Sequence, residues 1–401
     1  MFQNSSKRYY LYTFILFWCA LVVVSSVYVV TPLTDTFSSY FQVSEQETTW
    51  IGSVFSGCYA IGFLLFVPLV ESFGKRQLIV FGLVMLTWLT FLLAFAEAFW
   101  FMLMFRALQG LFAATFAPTA LAYVFDLFPK EKRMVAISYI SFGYVLAGIF
   151  GQAVADIINQ TFEWQLVFYV FSVIYLISIF LVYCFLPSTT QTVRQLKVKS
   201  YILQIKQLII RRELQVCYFI AFTLLFTFLG MYSLMGDYLQ GNPYYLLDRE
   251  VFNVRVLGIT GMLLSPFAGF FVKRWGELIV LRFSLSMALI GLFFMLISNN
   301  LWFTISASVG YVAGISLTFP VLMKIIGDLG GEARSVASAL YAFILFVGAS
   351  LGPMTSLYFK GIAGYHGALL SLASCLFISC WVAFLSKLLR KKSDASFSES
   401  T

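Results

Sequence analysis

Residues 101–118 read FMLMFRALQGLFAATFAP, an apolar stretch that contains a single arginine, Arg106. Moving a guanidinium group from water into hydrocarbon costs a few kcal/mol on insertion scales, so an arginine persists there only where it is partnered, hydrated or used. The rest of the chain is similarly apolar: of its 401 residues, 61% are hydrophobic, 19% aromatic and 11% charged. Because a soluble domain carries roughly 25% charged residues, this composition indicates a membrane protein.

Apolar runs long enough to cross a bilayer recur along the whole chain. A hydrocarbon core about 30 Å thick requires about 20 apolar residues per helix. We therefore predict twelve membrane-spanning helices, over residues 10–32, 49–70, 77–96, 99–126, 134–156, 165–186, 214–238, 253–272, 278–297, 301–326, 335–357 and 365–388. None of these runs shows the alternation of a strand, so the predicted fold class is an all-α membrane protein with 12 transmembrane helices. The first run lacks a small-residue cleavage site and is expected to be a retained span.

The basic residues predict the orientation of the chain in the membrane. If the N-terminus lies in the cytoplasm, 21 of the 26 Lys and Arg residues fall in segments on the cytoplasmic side. This excess is the positive-inside pattern, so we expect both termini to be cytoplasmic. The net charge of +8 is scattered over short segments rather than gathered on one domain, and it therefore indicates orientation in a membrane and not nucleic-acid binding.

The two halves of the chain resemble each other. A shift of 202 positions superimposes like residues: Asp35 on Asp237, Trp100 on Trp302, Pro118 on Pro320 and Asp126 on Asp328. We predict two pseudo-symmetric six-helix bundles, residues 1–187 and 213–390, with a cytoplasmic basic linker, 188–212, and a cytoplasmic tail, 391–401. The amphipathic second half of the linker is expected to lie on the anionic inner leaflet. Two repeated bundles around a midplane site are typical of secondary transporters.

The segment VPLVESFGKRQLI, residues 67–79, connects predicted spans two and three. Gly74 permits a tight turn there, and Glu71 is placed to pair with the neighbouring cations or with a helix terminus. The segment resembles the signature loop of the Major Facilitator Superfamily, Gly-x-Leu-Ala-Asp-x-x-Gly-Arg-Lys. The matching positions are Leu69, Glu71, Gly74, Lys75 and Arg76, whereas Val67 replaces the leading Gly and Glu71 the usual Asp. A degenerate copy, GFFVKRWG, occupies residues 269–276.

The sequence RALQG, residues 106–110, resembles a second signature of that superfamily, Arg-x-x-x-Gly. In proton-coupled members this arginine is associated with proton movement, and the resemblance implies that role for Arg106. Small residues follow it at helical spacing, which permits close packing or leaves a hydrated crevice. The alternative is a structural arginine that donates to backbone carbonyls. Ser308 occupies the repeat-related position in the second half, so only the first half carries a positive charge at this position.

Span five carries a stripe of small residues four positions apart: Gly143, Ala147, Gly151 and Ala155. Such a stripe lets another helix approach closely. The segment resembles the antiporter signature of the superfamily, although several of its residues depart from that pattern. A closer match, GASLGP at residues 348–353, lies in the second half. The stripe therefore favours export but leaves import open.

Three sets of residues are candidates for functional sites. Proton coupling is assigned to Arg106, Asp35 and Asp237, with the alternative that the two acids only cap helices at the interface. A conformational lock is assigned to Glu71, Gly74, Lys75, Arg76, Asp126 and Arg133. Substrate binding is assigned to four aromatic residues near the expected cavity: Phe14, Trp18, Phe112 and Phe116. Aromatic rings attract planar or cationic amphiphiles.

The resemblance covers nearly the whole chain and is closest to twelve-span bacterial drug:proton antiporters. It implies a monomeric inner-membrane transporter that exports a small amphipathic molecule (a drug, a metabolite or a siderophore) in exchange for protons. Its partners are then a small-molecule substrate, protons and the lipid bilayer, with no nucleic acid. A proton symporter that imports a small organic solute and a non-transporting membrane sensor are the alternatives. Neither a nucleotide-binding P-loop nor a metal-ligand or nucleophile cluster is present in the sequence, so we expect no enzyme activity, metal or cofactor.

Overall fold

The computed structural model describes residues 2–72, 74–188, 198–242, 244–298 and 300–385. It divides into two compact units, Met1–Tyr201 and Ile202–Thr401. The helices of the first unit are α1 (Phe2–Tyr28), α2 (Thr34–Phe41), α3 (Glu45–Ser72), α4 (Lys75–Leu93), α5 (Phe99–Ala113), α6 (Phe116–Leu127), α7 (Lys130–Thr161) and α8 (Gln165–Phe185). Short 3₁₀ turns occur at Thr31–Leu33, Ser265–Phe267 and Gly331–Ala333.

The division falls within α9 (Val198–Ile210), a helix of the predicted linker. The helices that follow are α10 (Arg212–Gln240), α11 (Asp248–Met262), α12 (Ala268–Trp275), α13 (Glu277–Ile297), α14 (Leu301–Gly330) and α15 (Arg334–Leu385). Residues 189–197 of the predicted linker and the predicted tail, 391–401, lie outside the described residues.

The described helices account for the twelve predicted spans. Ten helical segments are long and apolar enough to cross a membrane. The last of them, Val336–Leu385, has 50 residues, or about 75 Å at 1.5 Å per residue, far more than one crossing needs. Gly364, at φ 68° and ψ −170°, breaks it into two spans. The predicted span 253–272 is divided between α11 and α12, and neither piece is long enough to be counted alone.

The fourth predicted span is also interrupted, because α5 ends at Ala113 and α6 begins at Phe116. Pro118 explains the interruption. A proline lacks the backbone N–H, and its ring clashes with the carbonyl four residues earlier, which here belongs to Ala114. The side-chain hydroxyl of Thr115 donates to the carbonyl of Phe112 at 2.8 Å and so satisfies one carbonyl at the break.

The small stripe of the fifth span lies against the first span. A Cβ atom at Gly143 would come within 2.8 Å of the carbonyl oxygen of Phe17, and one at Gly151 within 2.6 Å of that of Ser25. The hydroxyl of Ser25 donates to the carbonyl of Ala147 at 3.3 Å. The backbones of α1 and α7 therefore touch along this stripe, and the predicted close helix approach is confirmed.

The second unit contains the repeat-related contact between α10 and α15. A Cβ atom at Gly348 would lie 2.2 Å from the carbonyl oxygen of Phe222, and one at Gly352 would lie 2.3 Å from that of Phe226. Only glycine permits backbones to approach this closely. Each unit is thus built on the same contact between its first and fifth spans.

We predict that Gly348→Ala destabilises the protein by about 1–3 kcal/mol, because the added methyl group must displace the backbone of α10. Gly269→Ala is the matched control, since a Cβ atom at Gly269 has nothing within 4 Å and alanine favours helix by about 1 kcal/mol. Thermal unfolding of both variants in detergent measures the difference. Equal melting temperatures for the two variants would contradict the packing described for α10 and α15.

Candidate functional site

Arg106 lies in α5 with 0% of its surface exposed. Its Nη1 donates to the backbone carbonyl of Ser26 at 3.0 Å and to the Oε1 atom of Gln109 at 2.5 Å. Its Nε donates to the carbonyl of Ile51 at 3.3 Å, and its Cζ atom lies 4.2 Å from the centre of the Phe55 ring. The guanidinium group therefore joins α5 to α1 and α3.

The end of α1 supplies one of these acceptors. α1 ends at Tyr28, and the last four carbonyls of a helix lack intrahelical donors. The carbonyl of Ser26 is one of these four, so Arg106 satisfies a group that would otherwise be buried without a hydrogen bond. A cation is also favoured at a helix C-terminus, where the helix dipole carries partial negative charge.

The glycine of the RALQG sequence brings α5 close enough for these bonds. A Cβ atom at Gly110 would lie 2.2 Å from the carbonyl oxygen of Phe55, so the backbones of α5 and α3 are in contact one helical turn from Arg106. Gln109, which is also buried, extends the hydrogen bonds by donating to the hydroxyl of Thr90 on α4 at 2.7 Å. The polar network therefore links four helices of the first unit.

A tyrosine borders this network. Tyr175 lies within electrostatic reach of Arg106 and donates to the carbonyl of Val22 at 3.2 Å. Tyr59 is 1% exposed and is a close neighbour of Tyr175 and Tyr144. The Nη2 atom of Arg106 and the hydroxyl of Tyr144 are among the buried polar atoms that have no hydrogen-bond partner among the described residues. Unsatisfied buried groups are rare in proteins and require an explanation.

The two candidate acids, Asp35 and Asp237, lie at helix ends. Asp35 is exposed in the first turn of α2, where an acid is favourable to the helix dipole, and it is not among the acceptors of Arg106 in the described structure. Asp237 lies in the last turn of α10 and accepts a hydrogen bond from Lys360 in an ion pair. The structure therefore does not bring Asp35 to Arg106, and it gives Asp237 a basic partner that the sequence analysis did not assign.

Aromatic rings lie beside the Asp237 ion pair. The rings of Tyr238 and Tyr365 are stacked, with centroids 3.6 Å apart and planes 6° from parallel. Tyr365 follows Gly364, whose positive φ marks the break in α15. The ion pair and the stacked rings therefore hold the end of α10 against the break between the last two spans.

The predicted conformational lock is divided among several contacts. Lys75, at the start of α4, forms an ion pair with Asp126, near the end of α6. Arg76 instead lies over the ring of Tyr183, with 4.8 Å between its Cζ atom and the ring centre, and Arg133 donates to the carbonyl of Phe128 at 2.9 Å. Among the described contacts, Asp126 and Arg133 of the predicted lock are therefore not paired with each other.

Glu71 and Gly74 are the remaining residues of the predicted lock. The side chain of Glu71 lies outside the described part of the structure. Gly74 has φ −59° and ψ 125°, a conformation that any residue can adopt, so these backbone angles do not require glycine. Its repeat-related counterpart, Gly276, has φ 84°, a conformation that does favour glycine.

The second unit contains a related ion pair of reversed polarity. Lys324, in α14, lies 2.8 Å from Glu277 at the start of α13. Glu277 occupies the position related to Lys75 by the 202-residue shift, so the basic residue of one unit is replaced by an acid in the other. Asp328 and Arg334 form a further ion pair in this unit, at 2.5 Å.

The four candidate aromatic residues belong to separate contacts. Phe14 is 57% exposed, whereas Phe116 is 2% exposed in the core of the first unit. The indole N–H of Trp18 donates to the hydroxyl of Ser178 at 3.0 Å, which joins α1 to α8. The ring of Phe112 packs against those of two phenylalanines on neighbouring helices, with centroids 6.1 and 5.8 Å away.

Comparison with known proteins decides the family. The family model described as Major Facilitator Superfamily matches residues 16–254 and 252–400. The chain belongs to the Major Facilitator Superfamily. Members of this superfamily are membrane transporters, and the predicted fold is confirmed by a solved structure, that of the human organic anion transporter MFSD10 (TETRAN). That structure has a TM-score of 0.72 and 15% identity, with coverage of 94% of this chain and 99% of that one.

Bacterial members of the Major Facilitator Superfamily are similar over most of their length. The inner membrane transport protein YnfM of Escherichia coli is 24% identical over 95% of this chain and 91% of its own. The bicyclomycin resistance protein homolog of Haemophilus influenzae is 23% identical over 75% of this chain and 69% of its own. The chain is therefore a multi-pass membrane transporter.

Several residues of the network were not identified from the sequence. Gln109 follows Arg106 by three residues, a spacing at which side chains on a helix meet, so this partner was recoverable. Tyr175 and Thr90 lie on other helices, and no local pattern places them beside α5. Lys360 was likewise too far from Asp237 in sequence for any local pattern to pair them.

We predict that Arg106→Ala lowers the free energy of unfolding by about 1–3 kcal/mol, because it leaves the buried carbonyl of Ser26 without a donor. Arg106→Lys is expected to recover part of the loss, since an ammonium group cannot reproduce the guanidinium fork. Thermal unfolding measures both variants, with Arg274→Ala as an exposed-arginine control. A melting temperature for Arg106→Ala equal to that of the wild type would show that the network does not stabilise the first unit.

We also predict coupling between Lys75 and Asp126. Lys75→Asp and Asp126→Lys should each place like charges together, while the double exchange restores the attraction, with a coupling energy of about 0.2–1 kcal/mol for a partly exposed pair. A double-mutant cycle of unfolding measurements at low and high salt gives this energy. Additive effects of the two substitutions at low salt would be evidence against the pair.

Proposed function

We propose that this transporter uses the inward proton gradient to export a small amphipathic molecule across the bacterial inner membrane. Alternating access of its two six-helix bundles would carry out the exchange. In this proposal the chain acts as a monomer with both termini in the cytoplasm. The positive-inside distribution of Lys and Arg supports the orientation.

The observation that carries the proposal is the fully buried Arg106 network. A buried charge within a membrane-spanning helix is costly, and such a residue marks a functional site by default. The Nη2 donor of the guanidinium group has no hydrogen-bond partner among the described residues, and Tyr175 lies within electrostatic reach of Arg106. These groups provide polar contacts for a substrate group, a water molecule or a carboxylate that reaches them in another conformation.

Asp237 is the residue at which a proton is proposed to bind. Its ion pair with Lys360 depends on the charged carboxylate, so protonation of Asp237 removes the attraction. The stacked rings of Tyr238 and Tyr365 would still connect the end of α10 to the break in α15. Proton binding would therefore loosen one end of the second unit. Asp35, exposed on α2, is the corresponding acid of the first unit in this proposal.

The names of two relatives support transport in the direction of export. One similar protein is named as a bicyclomycin resistance protein homolog, and another is named as an inner membrane transport protein. Resistance by a transporter is achieved by export. The aromatic residues Trp18 and Phe112 remain our candidates for substrate contact, because aromatic faces bind planar and cationic groups.

We predict that energised everted membrane vesicles accumulate a substrate found by a resistance screen that includes bicyclomycin and lipophilic cations. Asp237→Asn should abolish proton-driven accumulation, because the neutral amide mimics a permanently protonated acid. Lys360→Gln is the informative companion, since it breaks the same ion pair but keeps the carboxylate of Asp237. It should retain part of the proton-driven transport.

The direction of transport separates the proposal from its alternative. Accumulation in everted vesicles indicates export, whereas accumulation only in right-side-out vesicles would indicate an importing symporter and overturn the proposed direction. Equal transport by the wild type and Asp237→Asn would remove Asp237 from proton coupling.

A further inference from the structure

An apolar groove runs along the outside of the second unit between α13 and α14. Its volume is about 440 Å³. Phenylalanine side chains from both helices form its walls, including Phe283 and Phe294 of α13 and Phe303 of α14. At its floor the two backbones touch, because a Cβ atom at Gly291 would lie 2.6 Å from the backbone nitrogen of Tyr311.

The groove is open at Gly310. A Cβ atom at this residue would have nothing within 4 Å, so the space above it is unfilled by the described residues. The walls offer only the hydroxyls of Ser286 and Ser306 as polar side-chain groups. Ser306 donates to the carbonyl of Trp302 in its own helix at 2.8 Å. The chemistry of the groove therefore suits a hydrocarbon chain.

Arg282 is a basic residue next to the lining of this groove on α13. It precedes Phe283 in sequence and lies one helical turn before Ser286, about 7.5 Å along α13 from the start of the helix at Glu277. Its Nε and Nη2 atoms donate to the carbonyls of Ala383 and Phe384 at 3.1 and 3.3 Å. Three of the five guanidinium N–H donors therefore remain without a described acceptor.

The two carbonyl bonds hold Arg282 in place without neutralising it. Its described acceptors are backbone groups, and its Cζ atom lies 5.4 Å from the ring of the partly exposed Phe384. Arginine side chains near the ends of membrane-spanning helices extend their heads toward the interface, and basic pockets between transmembrane helices bind anionic lipid head groups. The positive charge of Arg282 therefore complements the phosphate of a lipid whose head group lies near Phe283, the first residue of α13 that lines the groove.

We propose that this groove is a binding site for one anionic phospholipid. The phosphate contacts Arg282, and one acyl chain lies along α13 between Phe283 and Phe294 and passes over Gly310. The apolar walls account for the acyl chain, and the positive charge selects an anionic head group over a zwitterionic one. The site lies between helices of the second unit alone and does not depend on the transported substrate.

Native mass spectrometry of the full chain tests the proposal. The protein is purified from nanodiscs that contain equal amounts of phosphatidylglycerol and phosphatidylethanolamine, and the retained lipids are counted. The wild type should retain one phosphatidylglycerol under activation that removes other lipids. Arg282→Gln should reduce the preference for phosphatidylglycerol about fivefold, as expected for one basic contact.

A second variant and a control separate the groove from the charge. Gly310→Phe should fill the groove and lower retention of both lipids, with thermal unfolding used to confirm that the variant is folded. Arg274→Gln, an exposed arginine at the end of α12, should behave as the wild type. Unchanged lipid retention in folded Gly310→Phe, or an unchanged head-group preference in Arg282→Gln, would overturn the proposal.

Discussion

The hydrogen bonds between the guanidinium group of Arg106 and the carbonyls of Ser26 and Ile51 are the constraint on which the first unit depends. They require α1 to end where it does, so that a carbonyl is available. They also require α5 and α3 to be in backbone contact, which Gly110 allows. A charge that is costly in hydrocarbon thereby satisfies backbone groups that would also be costly there.

The two units share a packing scheme but differ in their charges. In both units glycines of the fifth span contact the backbone of the first, α7 on α1 and α15 on α10. The charge of Arg106, however, is replaced by Ser308, whose hydroxyl donates within its own helix to Ile305 at 2.7 Å. The repeat thus specifies the helical scaffold twice, while the buried cation is present in only one of the two scaffolds.

Hydropathy predicted the spans because length and apolar content alone determine whether a helix can cross a bilayer. The contact made by the stripe around Gly151 was also predictable, although its partner helix was not. The acceptors of Arg106 were not predictable in detail. A buried arginine suits a carboxylate as well as a carbonyl, and only the three-dimensional structure shows which lies within reach.

The charge pairs show the same limit. Arg133 is closer in sequence to Asp126 than Lys75 is, yet Asp126 pairs with Lys75 while Arg133 satisfies the carbonyl at the end of α6. Unpaired carbonyls at helix ends compete with acids for basic side chains. Sequence spacing does not include this competition, so it does not identify which basic residue pairs with Asp126.

The central claim is that the buried cation serves proton-coupled transport as well as folding. Its most direct test is the change in internal pH when substrate is added to proteoliposomes that contain purified protein and a trapped pH-sensitive dye. The account predicts that wild-type protein moves protons when substrate is added, whereas a folded Arg106→Lys variant binds substrate but moves far fewer. Equal proton movement by both proteins would contradict a coupling role for Arg106.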